Sequence, residues 1–120
     1  MKSTGALSGP LSPPVMVVVA ISTRRGALVN PRGLDVEAVA ARIRAGGDAA
    51  VAAAGLGDPI EAAGLKFVPA DVLCPCAGHE SISLGDSGAI GERVISCGAN
   101  SPITPDAERR LWESGILCVP

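Results

Sequence analysis

The sequence predicts an α/β domain built on a parallel sheet, and three observations carry that prediction. Short apolar runs at 15–22, 71–75, 93–97 and 116–119 read as strands buried on both faces. Helical segments separate them, and strands alternating with helices make βαβ units. Apolar residues form 48% of the 120, enough for one small domain with its own core and too many for a disordered chain.

Each element has a local reason. Residues 1–14 are rich in Gly, Ser and Pro without periodicity, which predicts a flexible leader ahead of a domain spanning 15–120. The Val-dominated run 15–22 is the first strand, followed by the polar break Thr23-Arg24-Arg25-Gly26 and a turn at Asn30-Pro31-Arg32-Gly33. Val36, Val39, Ala40 and Ile43 form one stripe of a helix over 35–45, ended by Gly46-Gly47. Residues 48–57 fit no single element. Asp58-Pro59-Ile60-Glu61 has the order of a helix start: an acceptor at the cap, Pro first, Glu third. Thr104-Pro105 opens another helix, with Asp106 and Glu108 near its positive end and Gly115 closing it. Right-handed crossovers would bring the strands' C-terminal ends to one edge, where such sheets bind ligands. Loops 23–26, 76–80 and 98–102 would lie there, with a fourth after Pro120.

Composition excludes several function classes. Ten basic and twelve acidic side chains leave a net charge of −2 with no basic stretch, so neither nucleic acid nor an anionic membrane surface is an expected partner. The longest apolar run is far shorter than the ~20 residues that span a bilayer. Pro10, Pro13 and Pro14 argue against a secretory signal, and the expected location is the cytoplasm. Cys74, Cys76, Cys97 and Cys118 read as free thiols of a reducing compartment.

Three motif fragments suggest other chemistry. Gly85-Asp86-Ser87-Gly88 has the surroundings of a serine nucleophile, but the only histidine, His79, lies eight residues upstream, and the spacing suits no known triad. Cys74, Cys76, His79 and Cys97 could hold zinc, yet the tight paired knuckles of such sites are absent, and no metal is expected. Gly55-Leu56-Gly57 partly matches a dinucleotide phosphate loop but lacks a preceding β-branched strand, so a simple loop is expected.

The segments Asp71-Val72-Leu73-Cys74-Pro75-Cys76-Ala77, Gly98-Ala99-Asn100-Ser101-Pro102-Ile103-Thr104-Pro105-Asp106-Ala107 and Gly115-Ile116-Leu117-Cys118-Val119-Pro120 occur in order. Together with 18–22 and Asn30-Pro31-x-Gly33-Leu34-Asp35, they resemble the glutamate, leucine, phenylalanine and valine dehydrogenases, the glutamate branch in particular. The resemblance implies part of a C-terminal Rossmann-type NAD(P)-binding domain, with its first strand and phosphate loop missing. It implies an enzyme that passes hydride between an amino acid's Cα and NAD(P), yielding a 2-oxo acid and ammonia. By the same likeness, Cys76 and Ala77 lie against the cofactor ribose, and Gly98, Ala99 and Asn100 form the loop whose asparagine holds the nicotinamide end. Ser22, Thr23 and Arg24 sit at the strand end facing the adenosine ribose. An acidic residue at the Thr23 position would bond a 2′-hydroxyl, whereas Thr followed by Arg24 and Arg25 would accept a 2′-phosphate, which favours NADP over NAD.

The likeness assigns no catalytic residue to this chain, because the catalytic lysine and aspartate belong to a separate substrate domain. The chain by itself is therefore expected to be inactive, with the amino-acid substrate bound only by the full-length enzyme, and the relatives are homo-oligomers. Glu80 and Cys97 depart from the usual asparagine and acidic residue, while Gly85, Gly88 and Gly91 loosen a segment that is helical in relatives. A missing first strand would leave two apolar strands unpartnered. The alternative reading is a non-catalytic nucleotide-binding or interaction module derived from such a domain.

Overall fold

The computed structural model describes residues 2–6, 15–52, 55–76, 82–98 and 102–119. The chain divides into two compact units, Met1–Val68 and Pro69–Pro120.

The first unit is an antiparallel sheet with one helix. Strand β1 (Lys2–Ala6) pairs with β2 (Val15–Thr23), matching Ser3 to Val18 and Thr4 to Val17, with an irregularity beside Lys2. Part of the expected leader is therefore a strand; residues 7–14 lie outside the described residues. Mid-strand, Val19 and Ala20 are both buried; consecutive residues face opposite ways, so β2 is covered on both sides there. The tip 24–25 returns the chain as β3 (Gly26–Val29), registered Thr23 to Gly26 and Ala20 to Val29.

The turn after β3 follows from its residues. Asn30 Oδ1 accepts the Arg32 N–H at 3.0 Å, and the Gly33 N–H donates to Asn30 O at 2.9 Å. Gly33 has φ +111°, and a Cβ there would stand 2.8 Å from Val17 Cγ1, so glycine is required on both counts. Helix α1 (Val36–Gly46) starts at Asp35, whose carboxylate accepts the Ala38 N–H at 3.1 Å. Gly47, at φ +81°, ends it. Val39 of the predicted stripe packs with Leu28, Leu34 and Val51, joined at the margin by Ile21 and Ile43; Val36 is exposed.

Asp58-Pro59-Ile60 does not start a helix. It forms β4 (Asp58–Ile60), antiparallel to β3 with Ala27 opposite Ile60 and Leu28 opposite Pro59. Proline lacks the N–H that an inner strand needs, and within this unit β4 lies on the outside of β3, where none is required. A 3₁₀ helix then covers Ala62–Phe67, as another covers Asp48–Ala52.

The second unit has the predicted parallel arrangement. Strands β5 (Val72–Leu73), β6 (Val94–Ser96) and β7 (Leu117–Val119) align Leu73 with Ile95 and Ile95 with Cys118. Helix α2 (Leu84–Ser87) is a single turn, in keeping with the glycines around it. Helix α3 (Pro105–Glu113) begins at Thr104-Pro105 as expected. It ends where the Ile116 N–H donates to Leu111 O at 3.0 Å across Gly115, φ +85°. Leu73, Ile82, Ile95, Ala107 and Leu111 are buried. Among the described residues, no helix is long and apolar enough to cross a membrane.

Candidate functional site

In the first unit the candidate residues gather at the β2–β3 tip. Thr23 Oγ1 donates to Asp48 O at 2.7 Å and accepts the Arg25 N–H at 3.2 Å, tying the tip to the 3₁₀ helix at 48–52. Ser22, paired with Ala27, is half-buried just before it. Arg24 and Arg25 are exposed and line an open groove of about 570 Å³ with Ala52, Pro59, Ile60 and Glu61. Its lining thus brings together two arginines, the apolar residues Ala52, Pro59 and Ile60, and one acidic residue. A guanidinium fork suits a phosphate in two-point contact.

In the second unit, Cys76 and Gly98 come together at the C-terminal ends of β5 and β6. The Gly98 N–H donates to Pro75 O at 3.0 Å, continuing the ladder beyond both strands. A Cβ on Gly98 would lie 2.7 Å from Cys76 Sγ, so the two loops approach as closely as a glycine permits. Ala77, Ala99 and Asn100 lie outside the described residues.

The thiols behind this edge are held neutral. Burial pushes the Cys97 thiol up, helped by the Glu108 carboxylate and then by Cys74 and Cys76. Burial, then Glu108 and Cys97, does the same for Cys118. Cys97 thus brings no negative charge to the loop before Gly98. The Thr104 hydroxyl beside Asp106 holds that carboxyl below the usual carboxylate range, in the first turn of α3.

The other motif fragments have structural roles. Ser87 is buried, and its Oγ donates to Leu84 O at 2.7 Å within α2. A Cβ on Gly57 would meet Val29 O at 2.7 Å, so that glycine serves the packing of the loop before β4. Among the described residues, no group of three His, Cys, Asp or Glu side chains is placed to hold a metal ion, and His79 lies outside them. Sequence reasoning misses Ala52, Pro59, Ile60 and Glu61 as groove residues, because Asp58-Pro59-Ile60-Glu61 satisfies local helix-start rules and Ala52 lies in a stretch that fits no single element. The Asp48 contact runs through a backbone carbonyl, which no side-chain pattern signals.

Comparison with known proteins places these features in a family. The model of the glutamate/leucine/phenylalanine/valine dehydrogenases matches residues 12–120. A glutamate dehydrogenase of Thermotoga maritima is 36% identical over 103 residues, 86% of this chain and 24% of that protein. An NADP(+)-dependent glutamate dehydrogenase of Pyrobaculum calidifontis is 34% identical over 106 residues, 86% of this chain and 25% of that protein. Among solved structures, the hetero-hexameric glutamate dehydrogenase of Thermus thermophilus in its Leu-bound form superposes with a TM-score of 0.75 at 28% identity, over 87% of this chain and 24% of that one. The chain thus spans about a quarter of the length of the relatives it matches. It belongs to the glutamate/leucine/phenylalanine/valine dehydrogenase family, as a portion similar to glutamate dehydrogenases.

Proposed function

We propose that this chain is the cofactor-binding portion of an NADP-preferring, glutamate-type dehydrogenase that converts an L-amino acid reversibly to a 2-oxo acid and ammonia. The observation that carries this reading is the groove at the β2–β3 tip, which Arg24 and Arg25 line together with Ala52, Pro59 and Ile60. Its residues fit the adenosine 2′-phosphate end of the cofactor: the arginines offer charge and paired donors, and Thr23 places no carboxylate where a phosphate would be repelled. The close approach of Gly98 to Cys76 leaves backbone, with little side chain, for the ribose and nicotinamide end. Ala77, Ala99 and Asn100 belong to that end by family likeness. The bound cofactor supplies the hydride acceptor. This chain's residues bind and orient it, and none is assigned a catalytic role. NADP-dependent relatives support the cofactor choice, the hexameric Thermus relative supports assembly into an oligomer, and four free thiols support a cytoplasmic location.

Titration of the chain with NADPH and NADH, followed by cofactor fluorescence, tests the reading. NADPH binds more tightly, and Arg24→Ala removes most of the difference. Tighter NADH binding defeats the NADP preference, and no binding of either at millimolar concentration defeats the cofactor site. With L-glutamate and NADP the chain by itself gives no detectable turnover.

A further inference from the structure

The groove holds one polar group that a 2′-phosphate does not explain. Glu61 is among its lining residues, immediately after β4. Ala27 is opposite Ile60 in the β3–β4 ladder, so the register carried one step further sets Glu61 level with Gly26, next to the arginine-bearing tip. Its backbone is extended, with φ −66° and ψ 145°, and although it occupies the cap position of the 3₁₀ helix Ala62–Phe67, its side chain makes no capping hydrogen bond. A carboxylate is an acceptor only, and one placed beside a phosphate is unfavourable unless it meets a donor. An adenine ring lodged in this groove, which Ala52 and Pro59 also line, would offer such a donor in its exocyclic 6-amino group.

Resting on the cofactor reading above, we infer that Glu61 is a specificity-determining residue that selects adenine by accepting a hydrogen bond from the 6-amino group while Arg24 and Arg25 hold the 2′-phosphate. A hypoxanthine base reverses that edge, with a 6-oxo acceptor and an N1–H donor, so a carboxylate placed for the 6-amino group meets an acceptor and must shift to reach the N1–H. Sites built around one hydrogen-bond polarity reject the opposite one strongly.

The test uses adenosine 2′-monophosphate and inosine 2′-monophosphate, titrated calorimetrically into the full chain, so that only the adenosine end is probed. The inosine nucleotide binds about tenfold more weakly to the unaltered chain. In Glu61→Gln, whose amide can turn its N–H toward the 6-oxo group, the ratio falls to about one or inverts. Glu61 is exposed, so the substitution leaves the fold intact, which far-UV circular dichroism checks. Adenine preference that persists in Glu61→Gln overturns the inference, as does an equal gain in affinity for both nucleotides, which would make Glu61 a counter-ion of the arginines. Both outcomes leave the cofactor reading standing. Failure of both nucleotides to bind at millimolar concentration overturns that reading and the inference together.

Discussion

Gly98 and Cys76 act as a pair, because the space a side chain would need at one is filled by the sulfur of the other. In Gly98→Ala the new methyl meets Cys76 Sγ at 2.7 Å, so either the exposed thiol swings away or the loop shifts. The expected cost is about 1 kcal/mol, and most of it disappears in the background Cys76→Ala, which a double-mutant cycle of urea midpoints measures. Additive effects would place the cost elsewhere. Family likeness alone singled out both residues in the sequence; their close approach is a finding of the fold. Thr23 is singled out by the same likeness, but its contact with Asp48 is not legible, since a backbone carbonyl leaves no trace in residue identity. Glu61 was hidden for another reason: the Asp-Pro-x-Glu order satisfies local helix rules so well that the strand pairing of Pro59 was obscured.

Elements whose causes are local were readable, and those that depend on a distant partner were not. Helix α1 announces itself through Asp35, its apolar stripe and Gly47, and α3 through Thr104-Pro105 and Gly115. Asp35→Ala removes the bond to the Ala38 N–H and lowers stability by about 1 kcal/mol, while Asp35→Asn retains most of it; denaturant unfolding followed by circular dichroism separates the two. Equal losses in both variants would assign the effect to charge at the helix terminus. By contrast, β3 takes its partners from β2 and β4, and β4 pairs with residues 27–29 of β3. The Arg24-Arg25 tip lacks the Asn-Gly or Asp-Gly signature of a tight hairpin, so β3 went unread. Strand β1 shares that dependence, gaining its backbone partners from β2.

For the molecule as a whole, the half-buried thiols of β6's end and β7 couple folding to alkaline pH. Cys97 and Cys118 ionise above 9.0, the ordinary thiol value, because burial and the Glu108 carboxylate disfavour their charged forms. Above pH 9.0 the folded chain therefore holds protons that the unfolded chain has released. The stabilisation is complete below the unfolded value and is lost as pH rises through the folded one. Urea midpoints are expected to decline from about pH 9 upward, and to decline less steeply in Cys97→Ala/Cys118→Ala. An identical decline in that variant would assign the alkaline loss to other groups. The α/β class and the parallel order of β5, β6 and β7 were readable because buried strands alternate with capped helices. The antiparallel build of the first unit was not, since Val-rich runs look the same in either sense of pairing.

The β2–β3 tip divides its labour cleanly. The residues that hold it, Thr23 through its two hydrogen bonds and Ala27 and Leu28 through burial, differ from those that present charge, Arg24 and Arg25, which are exposed. Substitutions at the two arginines therefore change what the groove attracts while leaving the core untouched, and surface changes of that kind rarely lower stability by more than ~0.5 kcal/mol. Over evolutionary time such a turn can change its surface charge one residue at a time, with every intermediate still folded.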